Sequence, residues 1–166
     1  MKIFISYSVD ALELVNYVSD QIQGKAETFY WDKSNVPGAD AWPTIFSWID
    51  QADLVLVLIT DKTVHRALSV GQEIGHATKA GKTIIPMVGE NVPVTELGCL
   101  AGVTYIPMKL SELSEATAAL EKRIDQMSEE RKRLETEREA ARESEKKNNI
   151  IKTAGIALIL YNLLKE

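Results

Sequence analysis

The sequence predicts an α/β fold, an open, parallel, doubly wound sheet of five strands, followed by a long charged C-terminal helix and an apolar helical tail. Three observations carry that prediction. Short apolar runs alternate with amphipathic segments along residues 1–120, as in chains built of strand–helix–strand units. One run, DLVLVLIT (Asp53–Thr60), is apolar throughout between its two end residues, which marks a central strand covered on both faces. Charge is also unevenly spread. Between Glu121 and Lys147, 18 of 27 residues are charged, nine acids and nine bases, whereas residues 148–166 carry only Lys152, Lys165 and Glu166.

The elements follow in order. KIFIS (Lys2–Ser6) is a short buried strand. Asp10 stands at an N-cap position ahead of ALELVNYVSDQIQ, where Leu12, Val15, Val18 and Ile22 recur at helical spacing and Gly24 marks a stop. ETFYW (Glu27–Trp31) is β-branched and aromatic, so it reads as a second strand. DKSNVPGADAWP is a long loop marked by Pro37-Gly38 and Pro43. Ile45, Trp48, Ile49 and Ala52 predict a short helix before the central strand. A helix over Ser69–Ala80 ends at Gly81, KTIIPMV forms a fourth strand, and VTYIP (Val103–Pro107) a fifth. LSELSEATAALEKRI opens the last helix.

Composition limits the function classes. The chain has 166 residues, 45% of them hydrophobic and 26% charged, with a net charge of -5, ordinary values for a globular protein. Residues 1–120 carry 14 acids and eight bases, which argues against phosphate-backbone binding and hence against a nucleic-acid partner. Cys99 is the only cysteine, and His65 and His76 are the only histidines. That excludes an intramolecular disulfide, leaves no obvious metal site and fits a reducing cytoplasm. Lys2 followed by IFIS and polar residues does not read as a secretory signal.

Doubly wound sheets bind ligands beyond the carboxyl ends of their strands. The loops after the first three strands therefore hold the candidate chemistry. They contain no Gly-x-Gly-x-x-Gly, no Gly-x4-Gly-Lys-Ser/Thr and no Gly-x-Ser-x-Gly, and no acidic cluster closes the first strand. Dinucleotide cradles, P-loop NTPases, serine hydrolases and phosphoreceivers are not supported. What remains is FISYS (Phe4–Ser8), WDKSNVPG (Trp31–Gly38) and LSVGQEIGHATKAGKTIIPM (Leu68–Met87). In their order and spacing these segments make residues 1–120 resemble a Toll/interleukin receptor (TIR) domain of flavodoxin-like topology.

The resemblance implies a role for Glu73, which matches the glutamate that catalytic TIR domains use to break the nicotinamide–ribose bond of NAD+. The expected products are nicotinamide and ADP-ribose or a cyclic ADP-ribose isomer, with NAD+ as substrate and no cofactor. A carboxylate near the ribose suits that chemistry, since cleavage passes through an oxocarbenium-like centre. Without the resemblance, a Glu within an amphipathic helix reads as a solvated residue. By the same resemblance Ser6, Tyr7 and Ser8 stand where the family touches ribose or nicotinamide; the alternative for Tyr7 is that it packs the strand end. Trp31 and Asp32 begin the second loop, where an aromatic can stack a base or join the core. Ser69, four residues before Glu73, departs from the Trp of several active relatives. Pro37 and Gly38 belong to the loop through which such domains associate, and Trp42 reads as its packing anchor. His76, one turn after Glu73, reads as a polar residue at the surface and not as an acid–base group, and Cys99 has no evident base beside it. The resemblance also implies a microbial protein of antiphage defence or stress signalling, active on self-assembly; the alternative is a non-catalytic scaffold acting through TIR–TIR association.

Residues 121–148 form a charged, coiled-coil-like linker. Leu113, Thr117, Leu120, Ile124 and Met127 make a heptad seam, broken afterwards by Arg131 and Arg138. Glu129/Arg133, Arg131/Glu135, Glu139/Arg142 and Glu143/Lys147 stand at helical pairing distance. Residues 149–166 form an apolar helix. Its core, residues 150–164, spans about 22 Å at 1.5 Å per residue, short of the roughly 30 Å hydrocarbon layer. Flanking lysines suit a membrane interface and the all-round apolar character suits burial against protein, so oligomerisation and membrane association both remain open.

Overall fold

The computed structural model describes residues 1–8, 11–32, 40–61 and 67–163, with backbone alone at 67–69 and 151–163. The elements run β1 (Lys2–Ser6), α1 (Leu12–Ile22), β2 (Glu27–Phe29), α2 (Trp42–Gln51), β3 (Leu54–Ile59), α3 (Ala67–Lys79), β4 (Thr83–Gly89), β5 (Ile106–Met108) and α4 (Leu113–Leu163). Short 3-10 turns occupy Val94–Glu96, Gly98–Leu100 and Leu110–Glu112. All strand pairs are parallel, in the order β2-β1-β3-β4-β5. That is the doubly wound arrangement of flavodoxin-like sheets, whose direction of winding reverses between β1 and β3.

The central strand behaves as its composition demands. Every residue of β3 is buried, and its register against β1 sets Ser6 beside Val57. Two hydrogen bonds, one to a side chain, pin the start of that register: Lys2 N–H donates to Asp53 Oδ2, and Asp53 N–H to the Lys2 carbonyl, both at 2.8 Å. On one face Phe4, Val55, Val57, Ile59 and Val88 pack with Ile45 and Ile49 of α2 and with Val70, Ile74 and Ala77 of α3. The alternate residues Ile3, Ile5, Leu54, Leu56 and Leu58 are also buried and point to the opposite face. Val15, Val18 and Ile22 of α1 and Ala116, Leu120 and Ile124 of α4 are buried as well. Lys25 ties these two helices together through Glu121 (3.3 Å) and Asp125 (2.6 Å).

Two local expectations change. β2 stops at Phe29 instead of Trp31. Beyond it Tyr7 donates from its hydroxyl to the Trp31 carbonyl at 2.7 Å, and the Trp31 ring turns onto Trp48, with centroids 6.0 Å apart. β5 occupies Ile106–Met108 instead of Val103–Pro107, in register with Met87, Val88 and Gly89. The expected N-cap, Asp10, lies outside the described residues, and Ala11 precedes α1 without a side-chain cap. Gly81 does end α3: at φ 66° it closes a Schellman turn, with Gly81 N–H on the Thr78 carbonyl and Lys82 N–H on Ala77. Lys82 Nζ then reaches back to the carbonyls of Asp50 and Ala52 at the end of α2, where a cation offsets the negative helix terminus.

The backbone divides into two units, Met1–Asp125 and Gln126–Glu166. In the second, helix α4 is polar on all sides through residue 149. Arg131 pairs with Glu135 at 3.2 Å, and Arg133 with Glu137 at 3.4 Å. Leu134 is half exposed, so the heptad seam ends as an apolar stripe after Met127. Among the described residues no helix is long and apolar enough to cross a membrane.

Candidate functional site

A cavity of about 240 Å³ opens beyond the carboxyl ends of β1 and β2, walled by Phe4, Ile5, Tyr7, Leu12, Trp31, Asp32, Ala41, Trp42, Ile45 and Glu73. The fold brings these groups together from five places in the chain, with Leu12 at the start of α1. Tyr7 follows β1, Trp31 and Asp32 follow β2, Trp42 opens α2, and Glu73 lies on the inward face of α3 between Val70 and Ala77.

Aromatic contacts set the walls. Trp42 leans on Phe46 (centroids 5.4 Å) and Trp31 on Trp48. Trp48 also stacks on Phe29 at 6.2 Å. Tyr7 meets Tyr30 edge to face at 6.2 Å, and Tyr30 donates to Asn16 Oδ1. Tyr7 is thus held at its hydroxyl and at its ring. Burial, and then the charges of Asp32, Tyr30 and Glu73, push its phenol up to about 12, so it is a neutral donor at physiological pH.

Glu73 is the unusual group. Only 8% of it is exposed, and its Oε2 has no hydrogen-bond partner among the described residues. Burial pushes its carboxyl from 4.5 up to about 7, while the nearby Ser6 hydroxyl acts in the opposite direction. Ser6 is close enough to favour the charged form, yet no well-formed hydrogen bond joins the two, because Ser6 Oγ is itself buried and unpartnered among the described residues. An unpaired carboxyl in such surroundings is a charge waiting for a counter-charge.

Of the residues singled out in the sequence, Tyr7, Trp31, Asp32 and Glu73 share this cavity, and Trp42 joins them as a wall. Ser6 and Ser8 are buried and do not line it. Pro37 and Gly38 lie outside the described residues, as does the Ser69 side chain. Phe4, Ile5, Leu12, Ala41 and Ile45 complete the wall without having been singled out. The available signal was position: Leu12, Ala41 and Ile45 stand at or near helix starts that face the carboxyl edge of the sheet. His76 pairs with Asp50 at 2.8 Å and stacks on Phe46 at 4.3 Å. Cys99 is exposed. Among the described residues no group of three or more His, Cys, Asp or Glu side chains offers a metal site.

A family model of the TIR domain matches residues 3–124. Among solved structures, the TIR domains of the activated Roq1 resistosome superpose with a TM-score of 0.60 at 14% identity, over 74% of this chain and 98% of theirs. The TIR domain of the Toll-related receptor TRR-2 from Hydra magnipapillata gives 0.57 at 16% identity, over 74% and 97%. The Clostridium botulinum CMP N-glycosidase BcmB gives 0.53 at 16% identity, over 72% and 97%. No curated protein matches the sequence. At such identities the structural likeness shows the fold alone, but the family match spans most of the chain. The chain belongs to the TIR-domain family.

Proposed function

We propose that this TIR domain is an NAD+ nucleosidase or cyclase, breaking the bond between ribose C1′ and the ring nitrogen of nicotinamide. The observation that supports the reading is Glu73, a carboxyl buried in an aromatic cavity wall with Oε2 unpartnered among the described residues. As the bond breaks, its electron pair leaves with the ring and positive charge develops at C1′ and the ribose oxygen. A carboxylate in a water-poor cavity stabilises that charge more strongly than one in bulk water. The ring is already cationic in the substrate, so it departs as neutral nicotinamide without a proton donor. C1′ is then taken by water, which sheds a proton and gives ADP-ribose, or by a nucleophile in the adenosine half of the same molecule, giving a cyclic isomer. The likeness in fold to BcmB, a CMP N-glycosidase, agrees with chemistry at a glycosidic carbon.

The cavity's described walls enclose about 240 Å³, below the roughly 300–1,000 Å³ of pockets that engulf drug-sized ligands. It suits the nicotinamide and its ribose, and we assign the rest of the substrate to a surface completed when copies assemble through the Pro37-Gly38 loop. In this reading the charged helix and residues 150–164 raise the local concentration of domains, in a microbial cytoplasm under phage attack or stress. The deciding experiment follows nicotinamide release from NAD+ by the full chain and by Glu73→Ala, across protein concentrations and with crowding agent. Release that is lost in the variant and rises more than linearly with concentration is expected. Equal behaviour of the two proteins refutes catalysis and leaves the scaffold reading.

A further inference from the structure

Ser6 occupies an odd position for a hydroxyl. It is the last residue of β1, 1% exposed, where a small apolar residue would pack without leaving a polar atom unsatisfied. Phe4, two residues earlier, packs among the side chains of α2 and α3, and strand alternation puts Ser6 on that same face, the face Glu73 enters from α3. Ser6 Oγ and Glu73 Oε2 are both buried and both unpartnered among the described residues. Glu73 lines the cavity and Ser6 does not. A hydroxyl placed there does not reach a ligand, but it does adjoin the carboxyl.

We propose that Ser6 is a positioning residue for Glu73: its hydroxyl turns to donate to the carboxylate once that group is ionised, and so holds the carboxylate toward the ligand. The proposal rests on Glu73 being the working carboxylate. A serine hydroxyl swings about a single bond and serves as donor or acceptor. It sits idle while Glu73 is protonated and locks to it when a cationic ligand favours the charged form. The other titratable groups facing Glu73 cannot take this part. Tyr7, on the loop after β1, spends its proton on the Trp31 carbonyl, and Asp32, after β2, is an acid itself. The wall residues contributed by α2, Trp42 and Ile45, do not titrate, and Asp50 of that helix is engaged with His76.

Two readouts test it in the full chain. Carboxyl carbon NMR follows the Glu73 titration without substrate in wild type, Ser6→Ala and Ser6→Thr. The alanine variant is expected to titrate about half a unit to one unit higher, with threonine returning toward wild type. An unchanged midpoint in Ser6→Ala overturns the proposal. The pH profile of nicotinamide release adds the second arm. For a midpoint raised by about 0.7 unit from near 7, Ser6→Ala has roughly threefold lower kcat/KM at pH 7, a deficit that narrows by pH 9 as Glu73 ionises in both proteins. A deficit constant across pH points to mere packing and also overturns it. Should the wild type release no nicotinamide, the NAD+ reading falls while the titration still decides the role of Ser6.

Discussion

Glu73→Gln removes a charge that the fold holds under strain, and the effect is measurable without any substrate. In the folded domain the carboxyl titrates near 7, against an ordinary 4.5. A carboxyl whose pKa rises on folding binds its proton more tightly in the native state than in the unfolded one. Its contribution therefore favours the fold fully below about 4.5 and is lost as pH climbs through about 7. At 1.36 kcal/mol per unit, that shift corresponds to about 3 kcal/mol. Glutamine never ionises, so its own contribution stays level across the window. Wild type should lose about 3 kcal/mol relative to Glu73→Gln between pH 4.5 and 8, with the variant the more stable protein at the alkaline end. The difference between the two profiles is the quantity to read, since the amide brings a small pH-independent change of its own. Urea unfolding followed by tryptophan fluorescence is well suited, because the only tryptophans, Trp31, Trp42 and Trp48, lie in the unit that holds Glu73. In thermal scans a change of this size amounts to roughly 10 °C. Parallel profiles for the two proteins would refute the reasoning, because they would mean that Glu73 is solvated and ordinary.

Other expectations follow from the same geometry. Tyr7→Phe removes the hydroxyl that holds the Trp31 carbonyl at 2.7 Å; it should cost about 1 kcal/mol in urea unfolding and raise KM for NAD+ by loosening the Trp31 wall, and an unchanged KM would sink that role for the bond. Ile124→Ala, at a fully buried position, should cost about 2–5 kcal/mol, whereas Leu134→Ala, half exposed, should stay within about 0.5 kcal/mol. Equal effects would show that the packed part of α4 does not end where burial ends. On the proposed NAD+ reading, kcat/KM should rise with pH through about 7, the value for free Glu73, while kcat should show a lower midpoint because a cationic substrate favours the carboxylate. A midpoint that moves upward on substrate binding would exclude contact between that carboxylate and the cation.

Local chemistry determined much of this protein from the sequence alone. Between Asp53 and Thr60, LVLVLI has no polar residue to place in water, so it had to be the strand with both faces covered. Gly81 stands at the only position in its helix end where a left-handed turn is needed, and its neighbours form that turn. Period and turn residues act over a few positions, and therefore show in a linear reading. The same order of segments that makes the sheet also placed Glu73 among the candidates.

What only the tertiary structure decided is which candidates meet. β2 ends at Phe29, and beyond it the Trp31 carbonyl accepts from Tyr7, 24 residues away, a contact no local propensity records. Trp42, read as a packing anchor for the loop, also lines the cavity from the start of α2. Ser6 and Ser8 adjoin Tyr7 in the chain, yet burial takes both out of the cavity. Glu73 shows the reason most plainly. In the sequence it is a glutamate in an amphipathic helix, ordinary in charge. Its raised pKa arises from desolvation by burial, and desolvation is a property of everything packed around a group, absent from the group's own segment.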